Sequence, residues 1–121
     1  MSAGHTIHVV PSDTHVEVRL GGSLLASSDR ALRLEETGLP PRYYLPRADV
    51  RMELLRATSF HTTCPFKGEA SYLSAEVDGR THDGIVWSYE EPKAEVSDIA
   101  GMLSFYPDRT EILVNGEVLD T

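Results

Sequence analysis

The fold is decided between residues 69 and 87, where the sequence reads EASYLSAEV-DG-RTHDGIVW. The Asp78-Gly79 pair at its centre suits the tip of a two-residue β-hairpin, because both tip residues need positive φ angles. The runs on either side are rich in residue types that favour strands. This stretch therefore predicts a pair of antiparallel strands.

Two more turns of the same chemistry stand nearer the two ends of the chain. They are Gly21-Gly22, between His15–Leu20 and Ser23–Ser28, and Asn115-Gly116, between Thr110–Val114 and Glu117–Leu119. Apolar and polar residues alternate in the runs 16–20 and 31–35, as a half-buried strand requires. Together these signals predict about eight to ten short strands.

Evidence for helices is thin, because prolines interrupt the middle and the end of the chain. We expect a turn leading into a strand over Asp49–Leu55, and a single helical turn over Glu95–Ala100 closed by Gly101. The predicted class is all-β, a compact pair of antiparallel sheets with one or two short helical turns.

Composition limits the chain to one domain of ordinary size, with 121 residues and 40% hydrophobic content. We expect a flexible segment over residues 1–13 and a single domain over residues 14–119. The net charge of −8 disfavours a nucleic-acid or anionic-membrane partner. We expect a cytoplasmic protein, since residues 1–12 are mixed and polar, without a signal-peptide pattern, and no apolar run is long enough to span a membrane.

Metal and cofactor sites have little support in the sequence. The five histidines lack paired helical spacing, and a single cysteine does not build the usual structural zinc site. A phosphate-cradling glycine-rich loop is also missing. We therefore expect neither a metal nor a cofactor, and the partner we expect is a small molecule, with a protein partner as the alternative.

Aromatic and reactive residues concentrate in three segments, which are residues 41–46, 64–72 and 87–92. The only Trp and four of the five Tyr fall in these stretches or at their borders. Amphipathic rings such as Tyr44, Tyr72, Trp87 and Tyr89 can line a ligand pocket, offering apolar area with a polar tip. The alternative is that they pack in an ordinary core.

Cys64 is the candidate nucleophile, because Lys67 follows it by three residues and a nearby cation stabilises a thiolate. If the strand begins early enough to include Lys67, alternation places Lys67 and Glu69 on one side, so Glu69 could move protons beside the lysine. The alternatives are a buried inert cysteine and an exposed ion pair of little energetic value. Arg42, between a proline and a tyrosine, could hold a ligand carboxylate or phosphate, or simply be solvated.

The same segments resemble a bacterial family catalogued as domain of unknown function 427. The matching stretches are Arg42–Pro46 with Asp49-Val50, Thr63–Tyr72, Trp87–Tyr89 with Pro92, and Ile99–Gly101 with Phe105-Tyr106. The Cys-Pro-aromatic-Lys-Gly run at 64–68 is the most specific part, and Phe66 stands where the family often has Tyr. Together the matching stretches place most of the chain, from about Val16 to Val118, in the order found in the family.

What the resemblance implies for structure is a β-tent-like fold, two antiparallel sheets pinned along one side and open at the other. Methionine sulfoxide reductase B and the cereblon ligand-binding domain share that architecture, and a bound zinc ion stabilises each of them. This chain lacks their paired Cys-x-x-Cys ligands, so packing alone must hold it together. Fold likeness does not transfer their chemistry.

Three functions remain open at this point. The first is an enzyme in which Cys64 attacks an acidic or carbonyl-bearing metabolite held in an aromatic pocket. The second is a ligand-binding or sensor module that uses the same pocket without bond chemistry. The third is a protein-interaction domain with a surface aromatic patch.

Overall fold

A computed structural model describes residues 5–119, which form eleven strands. The strands are β1 (Ile7–Pro11), β2 (Val16–Leu20), β3 (Ser23–Ser28), β4 (Leu32–Glu36), β5 (Arg42–Tyr44), β6 (Leu55–Cys64), β7 (Gly68–Val77), β8 (Arg80–Ser88), β9 (Leu103–Phe105), β10 (Glu111–Val114) and β11 (Glu117–Val118). The all-β class is confirmed.

All three predicted hairpins form, and both tip residues of each have positive φ. The φ angles are 53° and 74° at Asp78-Gly79, and 51° and 82° at Asn115-Gly116. Gly21 and Gly22 likewise have φ angles of 58° and 86°. Local turn chemistry therefore fixes the β2–β3, β7–β8 and β10–β11 pairs.

The strands form three antiparallel sheets, where we expected two. Their strand orders are β1-β4-β5, β11-β10-β2-β3 and β6-β7-β8-β9. The third sheet arises because β1 pairs with β4. A bridge between Leu45 and Leu103, with N···O distances of 2.8 and 2.9 Å, ties the first sheet to the edge of the last.

Across the described residues, helical structure is limited to 3-10 turns over Arg47–Asp49, Met52–Leu54 and Ala94–Ile99. The first two lead into β6, as the turn predicted over 49–55 required, and Gly101 follows the third with φ 72°. None of the helices between residues 5 and 119 has the length and apolar character needed to cross a membrane.

The N-terminal expectation needs correction. Ile7–Pro11, predicted to be flexible, form β1 and pair with β4 from Ile7 opposite Glu36 to Pro11 opposite Leu32. Polar and apolar residues do not alternate clearly in this run. Its strand conformation becomes evident only from its pairing with β4. Residues 1–4 of the expected flexible segment, and the frayed end expected at 120–121, lie outside the described residues.

Two hydrophobic clusters make up the core, and strands β7 and β8 contribute to both. The first cluster joins the four-stranded sheets through residues such as Val18, Leu25, Ala75 and Val86. The second packs Leu34 and Tyr44 against Ala70, Trp87, Tyr89, Val96 and Ile99. Its concentration of aromatic residues sets it apart from the first cluster, in which Phe105 is the one buried ring.

Candidate functional site

A cavity of about 200 Å³ opens beside the second cluster, and we call it the inner cavity. Six of the eight predicted site residues line it, namely Arg42, Tyr44, Lys67, Tyr72, Trp87 and Tyr89. They come from β5, from the β6–β7 turn and from β7–β8 with the residue after it. Three segments distant in the sequence therefore meet at one hollow.

The aromatic wall is held together by pairing between neighbouring strands and by one buried hydrogen bond. Tyr72 on β7 stands opposite Trp87 on β8. Trp87 Nε1 donates to Tyr44 Oη at 3.0 Å, and the two rings meet edge to face with centroids 6.3 Å apart. This bond satisfies an indole N–H that is otherwise costly to bury.

Burial raises the pKa of both Tyr44 and Tyr89 well above the usual range of a phenol. Removal from water disfavours the phenolate, and this effect outweighs the hydrogen bond from Trp87, which lowers the pKa of Tyr44. Both hydroxyls are therefore neutral at physiological pH. A neutral hydroxyl can donate to an anionic group.

Arg42 contributes a positive charge from β5, where it pairs with Leu34 of β4. Its Nη1 is buried and has no hydrogen-bond partner within residues 5–119. A buried donor without a partner is unusual in a folded protein, and it is most costly when the group is charged. The Arg42 guanidinium therefore has a buried hydrogen-bond donor that the described residues of the protein leave without an acceptor.

Lys67 also lines the inner cavity, but its charge is already partnered. Its Nζ donates to Glu36 Oε1 at 2.9 Å, and Glu36 Oε2 lies 3.1 Å from His5 Nε2. The Glu36 side chain is only 8% exposed. Burial opposes its ionised form, yet the bonds from Lys67 and His5 prevail and hold the pKa of Glu36 below its usual value.

Cys64 lies at the end of β6, half buried against the second cluster. Its Sγ is 3.8 Å from Lys67 Nζ, so the thiol and the cation are neighbours as the spacing predicts. Cys64 itself is not among the residues that line the inner cavity. The thiol therefore stands next to the cavity wall, behind the lysine.

Glu69 does not join the site. It is exposed on β7 opposite Thr63, while Lys67 turns toward Glu36. The predicted alternation fails because Lys67 belongs to the turn before β7, which begins only at Gly68, where φ is 117°, so the two residues do not share one extended strand. Glu36 takes the position beside Lys67 that we expected for Glu69.

Sequence reasoning missed Glu36 and Tyr106, which also line the inner cavity. Glu36 ends a strand 31 residues away from Lys67, and nothing local marks the pairing. Tyr106 follows β9, and its ring centroid lies 4.6 Å from that of Trp87. Burial raises the pKa of Tyr106 to about 12, and the neighbouring Tyr72 hydroxyl adds to the rise.

The charges at the inner cavity are two cations, Arg42 and Lys67, against one carboxylate, Glu36. This local excess of positive charge contrasts with the net −8 of the chain. Within residues 5–119, no three His, Cys, Asp or Glu side chains cluster as a metal site would require. The arrangement suits an anionic group held among rings.

Comparison with known families agrees with the motifs that line this site. The model of a family described as Domain of unknown function (DUF427) matches residues 8–116. The chain belongs to the DUF427 family. No curated protein matches it. The DUF427 match spans every residue of the inner cavity.

Proposed function

We propose that the inner cavity of this DUF427 protein binds a small organic acid, with Arg42 as the anchor of its carboxylate. The observation that carries the proposal is the buried Nη1 of Arg42, which no group within residues 5–119 satisfies. A ligand carboxylate would supply the missing acceptor through a charge-assisted hydrogen bond once the guanidinium turns toward the cavity that Arg42 lines. The free protein carries the cost of that unsatisfied donor, and binding an acid would relieve it.

The walls support a ligand with an apolar body. Tyr44, Trp87 and Tyr89 are buried and lie around the cavity, so they offer ring faces and edges. A volume of about 200 Å³ is below that of pockets for drug-sized ligands, roughly 300–1,000 Å³, but it exceeds the roughly 150 Å³ that accommodates benzene. A molecule of one ring, or a short-chain acid, is the size that fits.

Lys67 adds selectivity for an acid over a neutral molecule. Its ammonium has three donors, of which one is directed to Glu36 and another toward Cys64. The remaining donor and the Arg42 guanidinium both favour negative charge in the ligand. Neutral tyrosine hydroxyls complete the set, since none of them repels an anion.

Calorimetric titration with benzoate and with its neutral isostere benzamide tests the proposal. We expect benzoate to bind at least about tenfold more tightly, as a hydrogen bond to a charged group implies. Arg42→Gln should remove this preference, and the exposed Arg80→Gln is the matched control that should keep it. Equal affinity for the two probes in the unmodified protein would overturn the proposal.

A second candidate is covalent catalysis on a bound acidic or carbonyl-bearing metabolite, and it is favoured by the 3.8 Å approach of Lys67 Nζ to Cys64 Sγ. A lysine ammonium beside a cysteine thiol is an arrangement found around nucleophilic cysteines. Alkylation with iodoacetamide, followed by mass spectrometry, measures the reactivity of the thiol. Catalysis predicts fast labelling at pH 7 that benzoate slows and that Lys67→Gln slows in the absence of benzoate.

Slow labelling that neither benzoate nor the lysine variant changes would leave simple binding as the function. Cys64→Ser separates the two functions further. If the protein only binds, this variant keeps its benzoate affinity, and if Cys64 acts as a nucleophile, the variant loses covalent adducts while the fold stays intact.

A further inference from the structure

A second and larger space of about 570 Å³ shares two rings with the inner cavity. Tyr72 and Tyr106 line both spaces. The other walls of this outer groove include Phe60, Asp83, Asp108 and Arg109. Its volume falls within the range of pockets that hold small-molecule ligands.

An exposed ring stands at the outer groove because the strand beneath it is irregular. The β6–β7 register shifts between Ala57 and His61, and Phe60 within the shift is 60% exposed. Thr58 Oγ1 donates to Tyr72 O at 2.8 Å and accepts from Phe60 N at 3.2 Å, which fixes the bulge. Bulges of this kind re-aim a side chain, and here the ring is directed away from the core.

The ring of Phe60 extends a row of aromatic side chains toward solvent. Its centroid lies 5.1 Å from that of Tyr72, and Tyr72 and Tyr106 both line the groove. A flat ligand ring can stack against such surfaces at little conformational cost to the protein. The arrangement therefore favours a planar ligand over a branched aliphatic one.

A second irregularity places a carboxylate at the same groove. The β7–β8 register shifts between Leu73 and Ala75, and Gly84 opposite has φ 58° while its N–H donates to Ser74 Oγ at 3.0 Å. Asp83, the residue before Gly84, lies in the wall of the groove at this irregularity. Both strands that flank β7 thus depart from regular pairing around one space.

The charge of the outer groove is opposite to that of the inner cavity. Asp83 and Asp108 are exposed carboxylates, and neither makes an ion pair with any residue from 5 to 119. Arg109 is the single cation among the wall residues of the groove. Two carboxylates beside aromatic faces attract a cation both directly and through the ring quadrupoles.

We propose that the outer groove is a separate binding site for a planar, positively charged ring, such as an amidinium or a protonated heteroaromatic base. Phe60 and Tyr72 stack on the ring, and Asp83 and Asp108 accept hydrogen bonds from its charged donors. This proposal goes beyond the acid-binding function of the inner cavity and does not depend on it. The two spaces select opposite charges on the two sides of the same tyrosine rings.

Titration of the full chain with benzamidine, followed by amide NMR shifts, tests this site. Benzamide is the matched neutral probe. We expect benzamidine to shift the amides of residues 58–60, 83–84 and 106–109, and to bind at least about fivefold more tightly than benzamide, as an ion pair beside an aromatic face implies. Shifts of equal size with both probes, or shifts that map elsewhere, would contradict the proposal.

Variants separate the contribution of the aromatic ring from that of the two carboxylates. Phe60→Leu keeps apolar area but removes the ring, and it should weaken benzamidine binding about two- to fivefold. Asp83→Asn with Asp108→Asn should remove the preference for benzamidine over benzamide, whereas the exposed Asp98→Asn on the Ala94–Ile99 turn should not. A double variant that keeps the full preference would overturn the assignment of the carboxylates.

The two proposals fail separately. Arg42→Gln should leave the affinity for benzamidine unchanged, since Arg42 does not line the outer groove. Loss of benzamidine binding in that variant would contradict an independent outer site. Benzoate binding without benzamidine binding would refute the outer site alone, and the reverse result would refute the inner site alone.

Discussion

At the scale of single residues, the hydroxyl of Tyr44 decides whether the buried indole N–H of Trp87 has a partner. The two atoms are 3.0 Å apart and both side chains are nearly inaccessible to water. Removing one partner of a buried hydrogen bond exposes the other to the full cost of its lost solvation. This single contact joins β5 to β8 across the wall of the inner cavity.

Tyr44→Phe should therefore destabilise the protein by about 1–3 kcal/mol, because Trp87 Nε1 keeps its burial and loses its acceptor. Urea unfolding monitored by Trp87 fluorescence measures the change. Tyr43→Phe, at the neighbouring and partly buried position, is the control and should change stability by no more than about 0.5 kcal/mol. Equal effects of the two variants would show that the bond contributes nothing specific.

Glu36 gives the stability a definite dependence on pH. Its pKa is lowered on folding by Lys67 and His5 from an ordinary value of 4.5, despite the opposing effect of burial. A lowered pKa means that the ionised form stabilises the fold above the unfolded pKa, and that this stabilisation is lost as the pH falls through the folded pKa. The sign is that of acid destabilisation.

Glu36→Gln should accordingly lower stability at neutral pH and should differ less from the unmodified protein as the pH falls below about 4.5. Urea unfolding between about pH 3.5 and 7 records both free energies. Glu35→Gln, exposed on the same strand, is the matched control and should follow the unmodified profile. A difference that grows on acidification would refute the role of the Lys67–Glu36 pair.

At the scale of elements, the turn between β6 and β7 places Lys67 in the site. Gly68 has φ 117°, and a Cβ there would lie 3.4 Å from Glu91 O and 3.6 Å from Pro92 Cα. Lys93 N also donates to Lys67 O at 2.9 Å. The turn is thus packed closely against the segment that leads to the Ala94–Ile99 turn.

Gly68→Ala should cost about 1–3 kcal/mol, since a side chain at this φ is strained and meets the neighbouring backbone. Gly38→Ala is the comparison, because Gly38 also has positive φ but has nothing within 4 Å of an added Cβ. We expect Gly68→Ala to be the more destabilising of the two in thermal unfolding. The opposite order would show that the turn has room to relax.

At the scale of the whole molecule, the sheet that carries Arg42 and Tyr44 depends on the N-terminal segment. β1 pairs with β4 over five residues, and β4 in turn pairs with β5. Ile7 and Val9 pack on the second cluster, next to the inner cavity. The segment that we expected to be flexible is part of the scaffold of the site.

A chain that begins at Ser12 should be less stable by about 2–4 kcal/mol, because it loses the partly buried Ile7 and Val9 and a full ladder of β1 hydrogen bonds. It should also bind benzoate more weakly, since β4 and β5 become less ordered. Thermal unfolding and calorimetry measure the two effects. An unchanged unfolding midpoint would show that β1 contributes little to the stability of the fold.

The sequence by itself determined the class, the three tight hairpins and most residues of the site. A pair such as Asp78-Gly79 adopts the positive φ angles of a hairpin tip at little cost. The turn can therefore be predicted from these two residues, without knowledge of any distant part of the chain. Aromatic and basic residues in short motifs pointed to Arg42, Tyr44, Lys67 and Trp87 in the same way. These signals are local.

Only the tertiary structure decided which of these segments meet and what partners their side chains. Lys67 and Glu36 are 31 residues apart, and Trp87 and Tyr44 are 43 apart. Alternation was misleading at Glu69 because Lys67 lies in the β6–β7 turn, before the strand that carries Glu69 begins at Gly68. The pairing of distant strands depends on many packing contacts between residues far apart in the chain. A short stretch of sequence does not reveal those contacts.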